Sequence, residues 1–160
     1  MDTFCIPIKV EEEKDLYESF LPSALAFSGE LTAYLEDFLE DRKPGENVSL
    51  ELQAPQPPDM EHFRNTFHAF TEKLIRRNKK AIRLADLETV LFLLLGMAFV
   101  SIRVALGDGV DTIGAEIISA IGSFAMWGAA ASFIETRTTL RVEKKRLELF
   151  SKAEIRYKAI

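Results

Sequence analysis

The sequence predicts a mainly α-helical membrane protein, in which a transmembrane helical hairpin carries a small α+β cytosolic domain. Two apolar runs within residues 87–134 predict the hairpin, because each is close to the roughly 20 residues that cross a bilayer as a helix. Basic residues on both outer flanks of these runs predict its orientation. Alternating apolar residues in two or three short segments predict a small sheet.

Composition shifts along the chain divide it into four parts. Residues 1–58 are predicted to form an N-terminal cytosolic α+β part, 59–86 a cytosolic stalk helix, 87–134 the transmembrane helical hairpin, and 135–160 a C-terminal cytosolic basic helix. The alternating end of the last part, residues 154–158, is compatible with a third short strand.

The N-terminal part contains two predicted strands with a helix between them. Residues 4–10 alternate apolar and polar side chains, and Pro7 predicts an edge strand because proline cannot donate to a ladder. Ser28 is typical of a helix N-cap, and the helical spacing that follows it stops at Pro44. The second alternating run, residues 48–54, predicts the second strand.

One long helix is predicted from the cytosolic domain into the membrane. Its first turns carry an apolar stripe at intervals of four, three and four residues, and the chain has no helix breaker before Gly96. The stripe consists of Phe63, Phe67, Phe70 and Leu74. We expect it to face the sheet.

The net charge of −5 conceals a strong segregation along the chain. Residues 1–56 carry 13 acidic and 4 basic residues, whereas the flanks of the hairpin are basic and its connection, 107–112, has no basic residue. The positive-inside rule therefore places both termini in the cytoplasm and the connection on the outer side of the membrane. The juxtamembrane basic cluster consists of Arg76, Arg77, Lys79, Lys80, Arg83, Arg137, Arg141, Lys144, Lys145 and Arg146.

The basic cluster has two interpretations besides topology. It could hold the anionic headgroups of phospholipids on the cytoplasmic side. Nucleic-acid binding is disfavoured, because phospholipid would occupy the same residues and the distal domain is acidic.

The single cysteine, Cys5, excludes an intramolecular disulfide and fits a reducing compartment.

Two ionisable residues, Arg103 and Glu116, fall inside the hairpin, where charges are costly and often functional. A turn centred between Gly109 and Val110 brings them to equal depth, so they could form an intramembrane charge pair. Alternatively, each extends separately to the outer headgroups. A third reading places both in charged rings at the outer mouth of a pore.

The second apolar run carries a helix-packing face of small residues at intervals of three and four. This face consists of Ala115, Ser119, Gly122, Ala125, Ala129 and Ser132. Small residues let helices approach closely in lipid, which favours self-association, although the same face could pack on the first helix of its own chain.

Trp127 lies deeper than the usual aromatic belt, and we expect it to fill space between helices.

No motif for catalysis, a cofactor or a metal is present. The chain lacks a glycine-rich phosphate loop, a set of paired Cys and His ligands, and a nucleophile with its base. His62 and His68 are six residues apart on one predicted helix, and so they lie on different faces. We therefore expect no enzyme.

The order of features resembles that of small uncharacterised bacterial inner-membrane proteins with two transmembrane helices. The resemblance rests on the opening Ile6-Pro7-Ile8, on VSLELQAP and EHFRNTFHAF, and on EIISAIGSFAMW before the basic RVEKKRLELFSKAEIRY. It implies the two-span topology and the bacterial setting, and no activity.

The sequence thus favours a non-enzymatic inner-membrane protein that self-associates through its helices and presents a cytosolic interaction or regulatory domain to an unknown protein partner. The alternative is a homo-oligomeric pore, channel or membrane-perturbing effector with Arg103 and Glu116 near its outer mouth. An enzyme would need a convergent polar pocket in the cytosolic part.

Overall fold

A computed structural model of the chain describes residues 3–17, 26–40, 45–107 and 112–159. The chain divides into two compact units, of which one comprises Met1–Asn78 with Val142–Ile160 and the other comprises Lys79–Arg141. The predicted helix end at Pro44 and the predicted turn residues 108–111 lie outside the described residues. Each unit is described by itself below.

The first unit is built on a three-stranded parallel sheet. Its strands are β1 (Thr3–Lys9), β2 (Asn47–Ala54) and β3 (Glu154–Ala159), in the order β1-β2-β3. All three predicted strands are present, and the third pairs with β2 along its whole length. The strands are parallel and are joined through helices, an α/β arrangement, whereas we expected an α+β part. Alternation of apolar residues does not reveal strand direction.

The described residues contain four α-helices and, between β1 and α1, a short 3-10 helix, Glu13–Leu16. The α-helices are α1 (Gly29–Glu40), α2 (Met60–Leu106), α3 (Thr112–Ala131) and α4 (Arg137–Phe150). The predicted N-cap of α1 is confirmed, because Ser28 Oγ accepts a hydrogen bond from the backbone N–H of Leu31 at 3.4 Å. Asp59 caps α2 in the same way, since its carboxylate accepts from the N–H groups of Glu61 and His62, both at 3.0 Å.

The core of the first unit lies on one face of the sheet. The face carries Ile6, Leu50 and Leu52, none of which is accessible to solvent. The predicted stripe of α2 packs into the same core, and Phe63 is fully buried there. Helix α4 contributes Phe150, whose ring lies 5.0 Å from that of Phe67 in an edge-on contact.

The opposite face of the sheet is polar and largely open, which is unusual for parallel strands. Glu51 lies at its centre, on the middle strand. Its carboxylate accepts a hydrogen bond from the Gln53 side chain at 2.7 Å and pairs with Lys158 at 3.2 Å. These contacts, with a weaker one from Cys5, lower the pKa of Glu51 below its usual value.

Two helices that lie mostly in the second unit are long and apolar enough to cross a membrane. They are α2 and the continuous helical stretch Ile113–Phe150, whose most apolar windows have mean hydropathies of 2.3 and 1.7. Only 6% of the first window and 22% of the second are buried inside the structure. Core helices of a soluble protein are mostly buried, whereas most of these two windows is exposed.

Candidate functional site

Helices α2 and α3 pack along a seam with the spacing of a coiled coil. The described residues that face this seam recur at alternating intervals of three and four on both helices, which is the heptad spacing of helices that pack side by side. On α2 they are Ala85, Thr89, Phe92, Gly96, Phe99 and Arg103, and on α3 and the turn that follows they are Ala115, Ile118, Gly122, Ala125, Ala129 and Ser132.

Two glycines lie where α2 and α3 approach each other closely. A Cβ added at Gly96 would lie 2.7 Å from Cγ and Sδ of Met126, and 3.3 Å from the carbonyl oxygen of Gly122. A Cβ added at Gly122 would lie 3.3 Å from Cβ of Phe99. The bulky side chains of one helix therefore fill the space that the small residues of the other leave open.

The predicted helix-packing face thus lies mostly inside one chain. Ala115, Gly122, Ala125, Ala129 and Ser132 are buried in the seam with α2, so this packing uses them within the hairpin. Ser119 is exposed and does not belong to the seam, which continues through Ile118 instead. The internal alternative that the sequence left open therefore describes the packing of these five residues.

Polar contacts join the hairpin at the end of the seam that lies nearest the basic flanks. The hydroxyl oxygens of Thr89 and Ser132 are 3.2 Å apart, and Nε of Arg137 lies 3.1 Å from Oδ1 of Asp86. The guanidinium of Arg137 also stacks over the ring of Phe133, 5.0 Å from its centre. Sequence reasoning placed Arg137 in the basic cluster but did not find Asp86 as its partner.

A π-helical turn, Ser132–Thr136, joins α3 to α4 at the same point. Turns of this kind insert one extra residue into a helix and often occur at functional sites. Here the turn carries Ser132 and Phe133, which face Thr89 and Arg137 respectively. No residue pattern in the sequence signals it, because the stretch reads as an uninterrupted helix.

The predicted intramembrane charge pair does not form in the structure. Nη1 of Arg103 donates to the carbonyl oxygen of Gly107 at 2.8 Å, and no ion pair joins Arg103 to Glu116 among the described residues. Ala115 occupies the seam, and the next residue, Glu116, is rotated by about 100° and is exposed. Two residues can therefore lie at equal depth in a hairpin without facing each other.

The outward face of α3 combines polar and small residues with one tryptophan. These residues recur at intervals of four, three, four and three, and all of them are exposed. They are Glu116, Ala120, Ser123, Trp127 and Ala130, which we term the outer face of α3. Trp127 is 74% exposed, so within one chain it does not fill the space between helices that we expected it to fill.

The members of the juxtamembrane basic cluster differ in their surroundings. In the second unit, Lys79, Lys80, Arg83 and Arg141 are exposed, while Arg137 is paired with Asp86. In the first unit, Arg76 pairs with Glu72 at 2.9 Å and Lys144 with Glu148 at 3.5 Å. Arg77 and Lys145 are exposed, and Arg146 is half-buried.

The first unit has a groove of about 310 Å³ beyond the carboxyl ends of β1 and β2. It is lined by residues 10–13, Leu16 and 54–58, which combine three glutamates with three prolines. Near it, burial raises the pKa of Tyr17 to about 12, and the carboxylates of Glu13 and Asp59 contribute to the shift. No cluster of His, Cys, Asp or Glu suited to a metal occurs among the described residues.

These features define a class of protein, namely a parallel α/β unit whose last crossover contains a helical hairpin able to span a membrane. Comparisons of the chain with protein-family models, curated proteins and solved structures find no match.

Proposed function

We propose that this chain is a non-enzymatic integral membrane protein of the bacterial inner membrane, which self-associates through its helices and presents its α/β unit to a protein partner in the cytoplasm. The observation that carries the proposal is the outer face of α3. Glu116 and Ser123 on this face would meet acyl chains in a lone hairpin, which is unfavourable for polar groups. A second copy of the face would cover them.

The composition of the outer face of α3 also fits a helix–helix contact. Ala120, Ser123 and Ala130 are small enough for close approach, and the large, exposed ring of Trp127 can fill the space beside them. The small residues of the seam are already used inside the chain. Self-association therefore rests on the opposite side of α3 from the one that the sequence suggested.

The order of strands in the sheet supports a two-span topology. β2 precedes the hairpin and β3 follows it, yet the two strands are neighbours. A chain that leaves the sheet and returns to it must cross a bilayer an even number of times. With two apolar helices, both termini lie on one side, and the basic flanks favour the cytoplasm.

We further propose that anionic phospholipid headgroups bind the exposed basic residues of the second unit, Lys79, Lys80, Arg83 and Arg141. Each basic residue near such a surface contributes about 1 kcal/mol. The proposal assigns this region to lipid and not to nucleic acid.

The experiment measures the mass, and thus the oligomeric state, of the full chain in lipid nanodiscs. It compares the wild type with two variants that carry the same substitution on different helices. Ala120→Leu places a larger side chain on the outer face of α3 and should convert the oligomer to monomer. Ala98→Leu makes the same change at an exposed position of α2 and should leave the oligomer intact. A wild-type chain that is monomeric at every protein density would contradict the proposal.

A homo-oligomeric pore is the second candidate, and the outward position of Glu116 favours it. Several copies of α3 around an axis could place a ring of carboxylates near the outer mouth, with Arg103 close to the same end of the hairpin. Reconstituted protein should then conduct ions, and Glu116→Gln should alter the ion selectivity. A bilayer that stays tight at high protein density would exclude this candidate.

A further inference from the structure

The two edges of the sheet differ in how they are protected. At the β1 edge, Pro7 has no N–H to offer, and its carbonyl oxygen accepts a hydrogen bond from the Tyr34 hydroxyl at 2.7 Å. At the β3 edge there is no proline, and the residues of the strand are exposed or half-exposed. Among the described residues, β3 pairs with β2 alone. An edge of this kind readily accepts another strand.

The sequence of β3 is self-complementary in an antiparallel arrangement centred on Arg156. In that register Glu154 of one strand lies opposite Lys158 of the other, on the polar face of the sheet. Ile155 lies opposite Tyr157, on the core face. Both of these are half-buried at the edge of the core, so a second strand would complete their burial.

The charges already present on β3 are compatible with this register. Arg156 would lie opposite its own copy, but each guanidinium is held by Glu154 of its own strand at 2.7 Å. Lys158 contacts Glu51 at 3.2 Å and remains well exposed. Two Glu154–Lys158 pairs would therefore extend the ion-pair network of Glu51 across the junction.

We propose that two copies of this chain pair through β3 in this antiparallel register and form one continuous six-stranded sheet. The occupant of the open edge is a second copy, because the strand complements itself in both charge and apolar character. The contact is two-fold symmetric, and antiparallel pairs commonly adjoin parallel strands in mixed sheets. This inference rests on the proposed self-association and specifies one of its interfaces.

The test uses disulfide formation at the two-fold position in the full chain, in native membranes. In a Cys5→Ser background, Arg156→Cys should crosslink to its own copy, because opposite residues of antiparallel strands have Cα atoms about 4.5–5.5 Å apart, within the range of a disulfide. Glu154→Cys and Lys158→Cys are matched controls. Each lies about 13 Å along the strand from its own copy, at about 3.3 Å per residue, and should not crosslink to itself.

Co-expression of the two control variants makes the register itself testable. Glu154→Cys in one copy should crosslink to Lys158→Cys in another, although neither crosslinks alone. Equal crosslinking at all three positions would contradict the inference. So would crosslinking of Arg156→Cys to a different protein in place of a second copy.

Charge substitutions test the same contact without a cysteine. Lys158→Glu should raise the dimer dissociation constant about tenfold, since two attractive pairs become repulsive, and the double variant Glu154→Lys/Lys158→Glu should restore it. Lys9→Glu makes the same change on the opposite edge and should have no effect. An oligomer that forms in lipid but ignores these changes overturns the β3 contact and leaves the proposed function standing, whereas a monomer overturns both.

Discussion

The hydroxyl oxygens of Thr89 on α2 and Ser132 beyond α3 lie 3.2 Å apart, a distance at which one hydroxyl donates to the other across the seam. The contact occurs beside the π-helical turn and one helical turn from Asp86, the partner of Arg137. A hydrogen bond and an ion pair thus fasten one end of the seam, whose other residues are apolar except for Arg103. Substitutions of these residues therefore measure how strongly the contacts hold the two helices of the hairpin together.

Replacing both hydroxyls should reveal a small coupling between them. We expect Thr89→Val and Ser132→Ala to be non-additive by about 0.6 kcal/mol in the free energy of unfolding, the usual size of a hydrogen bond between membrane helices. A double-mutant cycle in mixed detergent and denaturant micelles measures it. Thr89→Val combined with Ser123→Ala is the control, because Ser123 points away from α2, and this pair should be additive.

A methyl group at Gly96 should destabilise the hairpin through Met126. The new Cβ would lie 2.7 Å from the Met126 side chain, which must move away. In a Met126→Ala background this obstacle is absent, so Gly96→Ala should cost about 1–2 kcal/mol less there than in the wild type. The same unfolding assay decides the question, and equal costs in both backgrounds would argue against the close approach at Gly96.

Several elements of the fold are readable from the sequence because a local pattern determines them. The alternation in β2, the Ser28 cap and the apolar stripe of α2 each depend on residues close together in the chain, and each is confirmed. The edge position of β1 also follows from one residue, Pro7. Strand direction, in contrast, depends on contacts between distant segments and was not predicted.

In the hairpin, depth in the membrane and residue spacing do not determine which way a side chain points or which helix it meets. Equal depth placed Arg103 level with Glu116, but rotation about the helix axis sends Glu116 outward. Spacing identified a small-residue face but not the helix that it meets. The partnership of Asp86 with Arg137 was not predicted, because both residues lie among other charges and no local pattern distinguishes them.

Ionisation of Tyr17 should destabilise the α/β unit at high pH. Burial raises its pKa to about 12 from the ordinary 10, so the neutral phenol is favoured in the folded state. Its contribution to stability is complete below pH 10 and is lost as the pH rises towards 12. Absorbance at 295 nm should show one late-titrating tyrosine, and Tyr17→Phe should remove this component. Its persistence in the variant would assign the late titration to Tyr34, whose pKa burial also raises.

Truncating Phe150 should unfold the first unit selectively. The ring is fully buried against Phe67, and its removal leaves a cavity in the core, at a cost of about 3–5 kcal/mol. The loss of stability should appear as faster hydrogen exchange of the backbone amides of β2. Glu148→Ala, an exposed position on the same helix, should change stability by less than about 0.5 kcal/mol. Unchanged protection of β2 in Phe150→Ala would mean that α4 is not part of this core.

The central proposal is a two-span hairpin with the α/β unit in the cytoplasm, and the labelling of single cysteines by a membrane-impermeant maleimide tests it most directly. The native Cys5 is exposed on the sheet, and Gly109→Cys in a Cys5→Ser background marks the connection of the hairpin. In intact spheroplasts the cysteine at position 109 should be labelled, and Cys5 should be labelled only after the membrane is permeabilised. Labelling of Cys5 in intact spheroplasts, or of neither position before permeabilisation, would contradict the proposed topology.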